Sequence, residues 1–94
     1  MSQDPTERYA LRTTPTVRRA LTEVLPEVVA AAAYEFITGP LLDNPHRVGK
    51  RLLPPLDDKH SARRGTYRVT YRIDDKKQVV TVVDVADRRD AYRT

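Results

Sequence analysis

Apolar and polar positions alternate where the ordered pattern of the chain begins. In "RYALRTT", residues 8–14, Tyr9, Leu11 and Thr13 fall on one side and Arg8, Ala10 and Arg12 on the other, which predicts a first strand. The period then lengthens. In "TTPTVRRALTEVL", Thr14 is a suitable N-cap and Pro15 takes the first helical position, where its missing N–H costs nothing. Val17, Ala20, Leu21 and Val24 follow at helical spacing, so a helix over about 15–25 is predicted. Pro26 restarts the helix. In "PEVVAAAAYEFITGPLL", Val29, Ala32, Ala33, Phe36 and Ile37 form one stripe, and Gly39-Pro40 is a stop or a kink. The alanine run 30–33 suits close helix packing. With almost no linker between them, the two helices are expected to form a tight antiparallel hairpin.

"DNPHRVGKRLLPPLDDKH", residues 43–60, is interrupted by Pro45, Gly49, Pro54 and Pro55 and reads as loop. "HSAR" can form a short strand. "TYRVTYRI" alternates clearly, with Tyr67, Val69, Tyr71 and Ile73 on one face and Thr66, Arg68, Thr70 and Arg72 on the other. "DDKK" makes a turn, and the nearly all-apolar "QVVTVVDV" is expected at the centre of the sheet. Asp87 would cap a short C-terminal helical turn in "DRRDAYR". The predicted order is β-α-α-β-β-β with a short terminal helix. This is an α+β fold, a helical hairpin packed on one face of a mainly antiparallel twisted sheet. One domain over 1–94 is expected, with residues 1–7 flexible.

Composition narrows the chemistry. The chain has 94 residues, 39% apolar and 32% charged, enough for one modest core. It has no cysteine, which excludes disulfides, thiolate metal sites and a cysteine nucleophile. His46 and His60 lack acidic or thiol partners at ligand spacing, so neither a metal nor any other cofactor is expected. No apolar run is long enough to span a membrane and the N-terminus has no signal pattern, so a cytoplasmic protein is expected.

The charge is uneven. Residues 1–45 carry four basic against six acidic side chains, and residues 46–94 carry thirteen against seven. The sequence pI is about 9.7. A basic second half points to a polyanionic partner, nucleic acid first. Arg68 and Arg72 lie on the strand face opposite the apolar one, which the helices leave open. Arg63 would join that face if a bulge at Gly65 shifted the phase. Arg88 leaves the end of the next strand, Tyr92 follows at helical spacing, and Lys50, Arg51 and Lys59 come from the loop entering the sheet. Tyr67 and Tyr71 belong to the inward face and are expected to be core. Guanidinium groups grip phosphate bidentately, and tyrosine can stack on a base.

The segments "FITGPLLDNPHRVGKRL", "HSARRGTYRVTYRID" and "VVDVADRRDAYR" together resemble the RelE/ParE superfamily of bacterial type II toxin–antitoxin toxins, over roughly residues 8–93, and the RelE branch more than the ParE branch. The resemblance implies a RelE-like fold and a metal-independent endoribonuclease that cuts mRNA in the ribosomal A site. The 2′-hydroxyl would attack the adjacent phosphate to give a 2′,3′-cyclic phosphate and a 5′-hydroxyl. It implies that Arg68 binds the scissile phosphate, that Arg88 protonates the leaving oxygen or holds its charge, and that Tyr92 stacks a base or helps activate the 2′-hydroxyl. Lys59 and Arg63 complete the catalytic set, while Lys50, Arg51, His60, Arg64, Arg72 and Arg89 bind RNA. The implied partners are a cognate antitoxin of RelB or Phd type, the ribosome and mRNA, and operator DNA through the antitoxin complex.

The pattern departs from the family at one place. Many relatives carry a histidine just before the arginine corresponding to Arg88, and here that residue is Asp87. A tyrosine or lysine base would then need its pKa lowered by the surrounding cations, which predicts activity rising toward alkaline pH. Two other readings remain open: a ParE-like inhibitor of DNA gyrase, and an inactive member that acts only in antitoxin-bound autoregulation.

Overall fold

The computed structural model describes residues 8–87. Strand β1 (Ala10–Thr13) leads into helix α1 (Pro15–Arg19), which the Thr14 hydroxyl caps by accepting from the Val17 N–H at 3.3 Å. The helix then widens into a π turn over Ala20–Val24, closed by the Leu25 N–H on the Ala20 carbonyl at 2.9 Å. Pro26 is the cause. It holds Leu25 extended, so the last turn finishes on a longer bond before α2 (Glu27–Thr38) begins.

The segment after Gly39, including the predicted loop 43–60, is more ordered than its prolines suggested. Two single turns, α3 (Pro40–Asp43) and α4 (Pro45–Val48), each start on a proline, whose fixed φ suits a first helical position. A two-residue strand, β2 (Lys50–Arg51), then pairs with the sheet. Strands β3 (His60–Arg64), β4 (Tyr67–Asp74) and β5 (Val79–Asp87) follow.

The sheet order is β1-β5-β4-β3-β2, with β1 parallel to β5 and every other pair antiparallel. The expected α+β architecture is therefore observed, with β5 between two neighbours as its apolar run required. Val17, Ala33, Phe36, Ile37, Leu41 and Leu42 from the helices meet Ala62, Tyr67, Val69, Tyr71, Val80, Val82 and Val85 from one face of the sheet. The other face is left open. No helix among the described residues is long and apolar enough to cross a membrane.

A register shift between Thr70 and Tyr71 places a bulge in β5, because Asp84 pairs with Thr70 while Val82 pairs with Tyr71. Val83 is the extra residue, and it reverses the alternation. Val80 and Val82 are inward before it, Val85 and Asp87 after it, so Asp84 is turned to the open face.

Candidate functional site

The β3–β4 hairpin sets the geometry of the open face. Arg64 pairs with Tyr67 across the two-residue turn Gly65-Thr66, and Gly65 has φ +56°, the sign its first central position needs in a type II′ turn. The expected bulge at Gly65 is absent. Arg63 reaches the face of Arg68 by a simpler route, as its direct cross-strand partner. Ser61 pairs with Thr70 and Lys50 with Ser61, which carries the same face to the sheet edge.

Lys50, Ser61, Arg63 and Arg68, with Val48, Gly49 and Leu52, line a groove of about 580 Å³. Arg68, Ser61 and Leu52 also wall an adjoining hollow of about 430 Å³, completed by Leu56, Lys59, Thr70, Val83 and Asp84. Four of the expected cations, Lys50, Lys59, Arg63 and Arg68, thus converge around Ser61. Arg72 shares the face but lies apart, in a separate hollow with Asp58. Asp58 sits 3.5 Å from Lys59 Nζ and 3.6 Å from Arg72 Nε, so one carboxylate restrains both.

The same register moves three expected RNA contacts off this face. Arg64 turns to the helix side and lays its guanidinium 4.8 Å from the centre of the Phe36 ring. His60 pairs with Tyr71 and is 9% exposed, stacked on the Tyr71 ring at 5.6 Å and edge-on to His46 at 5.7 Å. Arg51 pairs with His60, which gives it the parity of the helix side, although it is exposed at the sheet edge. Arg88, Arg89, Tyr92, the expected terminal helical turn and residues 1–7 lie outside the described residues. Asp87, expected as a helix cap, ends β5 buried on the inward face opposite Tyr67.

A second polar cluster lies away from the groove. The Tyr9 hydroxyl donates to Asp75 Oδ1 at 2.5 Å, and His46 Nε2 stands 2.8 Å from the same oxygen. The hydrogen bond to Asp75 pushes the Tyr9 phenol up to about 12, and the bonds from Tyr9 and then His46 hold the Asp75 carboxyl below its usual range. Burial, followed by the nearby His46, lowers the pKa of His60, whose Nδ1 is buried without a hydrogen-bond partner among the described residues. Ser61, Asp58, Asp75 and Asp84 went unmarked in the sequence reading. For Asp84 a signal existed: a lone carboxylate inside the apolar run "VVTVVDV".

The fold and the open cationic face define a class, and comparison with known proteins makes it specific. The family described as "ParE toxin of type II toxin-antitoxin system, parDE" matches residues 11–92. Toxin RelE of Mycobacterium tuberculosis is 51% identical over 85 residues, covering 90% of this chain and 87% of that protein. Toxin RelG of the same organism is 47% identical over 85 residues, covering 90% and 97%. The crystal structure of the RelBE2 toxin–antitoxin complex from M. tuberculosis contains a chain that superposes with a TM-score of 0.81 at 47% identity, covering 86% of this chain and 99% of that one. The chain belongs to the RelE/ParE family of type II toxin–antitoxin toxins.

Proposed function

We propose that this toxin is a ribosome-dependent, metal-independent endoribonuclease that stops translation by cutting mRNA in the A site. The observation that carries the reading is the convergence of Arg63 and Arg68, paired across β3 and β4, with Lys50 and Lys59 on the open face of the sheet. Attack of a 2′-hydroxyl on the neighbouring phosphate builds negative charge on the phosphoryl oxygens. Guanidinium and ammonium groups already fixed around that position stabilise the charge without reorganising as it forms. Arg68, common to both hollows, is suited to grip the scissile phosphate, with Arg63 beside it and Lys50 and Lys59 on either side. Arg88, Arg89 and Tyr92 follow β5 in the sequence and would complete the set.

The partners follow from the same reading. The relative in the RelBE2 structure is a toxin held in a complex with its antitoxin. By that analogy a cognate antitoxin would neutralise this chain in the cytoplasm, and the pair would bind operator DNA for autorepression. Primer extension on mRNA during expression tests the enzymatic claim: codon-linked cuts are expected, and Arg68→Ala should remove them.

The matched family description names a ParE toxin, which favours one competing reading, inhibition of DNA gyrase. Intact message together with gyrase-dependent DNA breaks would establish that reading in place of the first. Intact message with no breaks would leave a binding role in autoregulation.

A further inference from the structure

The hollow adjoining the cationic groove contains a carboxylate that phosphate binding alone does not explain. Asp84 is exposed on the open face and lines the hollow that Arg68 and Lys59 share. It is there because of the bulge at Val83, since unbroken alternation from Val80 and Val82 would have turned residue 84 inward. No hydrogen bond or ion pair among the described residues engages it. Asp58, by contrast, is occupied by Lys59 and Arg72. The charged groups sharing the face with Asp84 are Arg68 and Arg72 from β4, Arg63 from β3, Lys50 from β2, Lys59 and Asp58 from the loop before β3, and Arg12 from β1, whose strand partner is Thr81. A carboxylate among these cations weakens phosphate binding, so its presence calls for a separate role.

We propose that Asp84 is the general base of the cleavage reaction. This inference rests on the endoribonuclease reading above. Thr70 is the cross-strand partner of Asp84, and Arg68 lies two residues before it on the same face. Side chains on such a diagonal start about 7–8 Å apart, close enough for one to hold a phosphate while the other meets the adjoining 2′-hydroxyl. Leu52, Leu56 and Val83 give the hollow apolar walls that can seat a ribose or base beside the carboxylate. The 2′-hydroxyl gives its proton to Asp84 as its oxygen bonds to phosphorus. The bond from phosphorus to the 5′-oxygen breaks, and that oxygen leaves with the electron pair and takes a proton from the Lys59 ammonium. Solvent then returns both side chains to their starting charge. With Asp84 as the base, the reaction does not need the histidine that many relatives carry just before the position of Arg88.

The test is single-turnover cleavage of A-site mRNA on programmed ribosomes by the full chain, from about pH 5 to 9. The wild-type rate should not keep climbing toward about pH 9, as it would with a tyrosine or lysine base. Asp84→Asn should lose about 100-fold or more in rate while binding the ribosome as tightly as wild type or more tightly, and Asp84→Glu should recover part of the rate. A wild-type rate that climbs steadily to pH 9, or an Asp84→Asn rate equal to or above wild type, overturns the assignment while cleavage itself stands. If wild type cuts nothing at any pH, the endoribonuclease reading falls and the base goes with it.

Discussion

Arg63 and Arg68 face each other directly across the β3–β4 hairpin. Like charges in this position destabilise a sheet, by roughly 0.2–1 kcal/mol on the scale of cross-strand pairs. A pair kept at that cost points to work the cations do for a ligand. Replacing either arginine with alanine should therefore leave the melting temperature unchanged or slightly higher. Cleavage should fall about 10²–10³-fold for Arg68→Ala. Thermal unfolding and primer extension on the same two variants separate stability from activity. A large loss of stability in both would mean the pair is structural.

Arg64, one residue along, should behave in the opposite way. Its guanidinium lies 4.8 Å from the Phe36 ring centre, on the helix side of the sheet. Arg64→Ala should cost about 0.5–1 kcal/mol, read by urea unfolding, and leave cleavage intact. An unchanged stability with lost cleavage would return Arg64 to the RNA-binding set.

The contrast between these neighbours shows what was legible in the sequence. Period-2 alternation separated Tyr67, Val69 and Tyr71 from Arg68 and Arg72 without ambiguity, and Thr14, Pro15 and Pro26 marked the helix boundaries. What alternation could not supply was phase between strands. Whether Arg63 or Arg64 joins Arg68 depends on the turn at Gly65, and which face Asp84 takes depends on a bulge at Val83. Both are pairing properties, set by two strands together. The inward position of His60 was hidden for the same reason, since it follows from its partner Tyr71. The single turns at Pro40 and Pro45 went unseen because four residues are too few to show a period.

The groove wall depends on one hydroxyl. Tyr71 donates to the buried Pro45 carbonyl at 2.6 Å, fixing α4 to the sheet just before Gly49. A Cβ on Gly49 would meet the Ser61 carbonyl oxygen at 2.8 Å and would press against the Tyr71 hydroxyl as well. Tyr71→Phe should cost about 1–3 kcal/mol, because it strands the Pro45 carbonyl. Gly49→Ala should cost a similar amount, about 1–3 kcal/mol, by overpacking. The two effects share an atom, so the double variant should be less destabilised than the two single losses combined, measured as a cycle by denaturant unfolding.

The Tyr9–Asp75–His46 cluster and His60 should give stability an asymmetric pH dependence. His60 has a folded pKa below 6.5, so the unfolded chain binds its proton more readily. Its contribution is complete above about 6.5 and is lost as pH falls through the lowered folded value. Asp75, also lowered, contributes above about 3.9 and loses that contribution on further acidification. Tyr9 has the opposite sense: raised to about 12, it stabilises the fold below the unfolded value near 10 and stops doing so as pH climbs toward 12. Unfolding free energy should therefore be greatest between about pH 7 and 10 and fall on both sides. His60→Phe keeps an aromatic ring against Tyr71 but removes the titration, so its stability should vary less than wild type between about pH 7 and 5. Asp75→Asn should bring the Tyr9 phenol back toward about 10, seen directly by ultraviolet titration. A Tyr9 pKa unmoved by that substitution would show that the carboxylate is not what holds its proton.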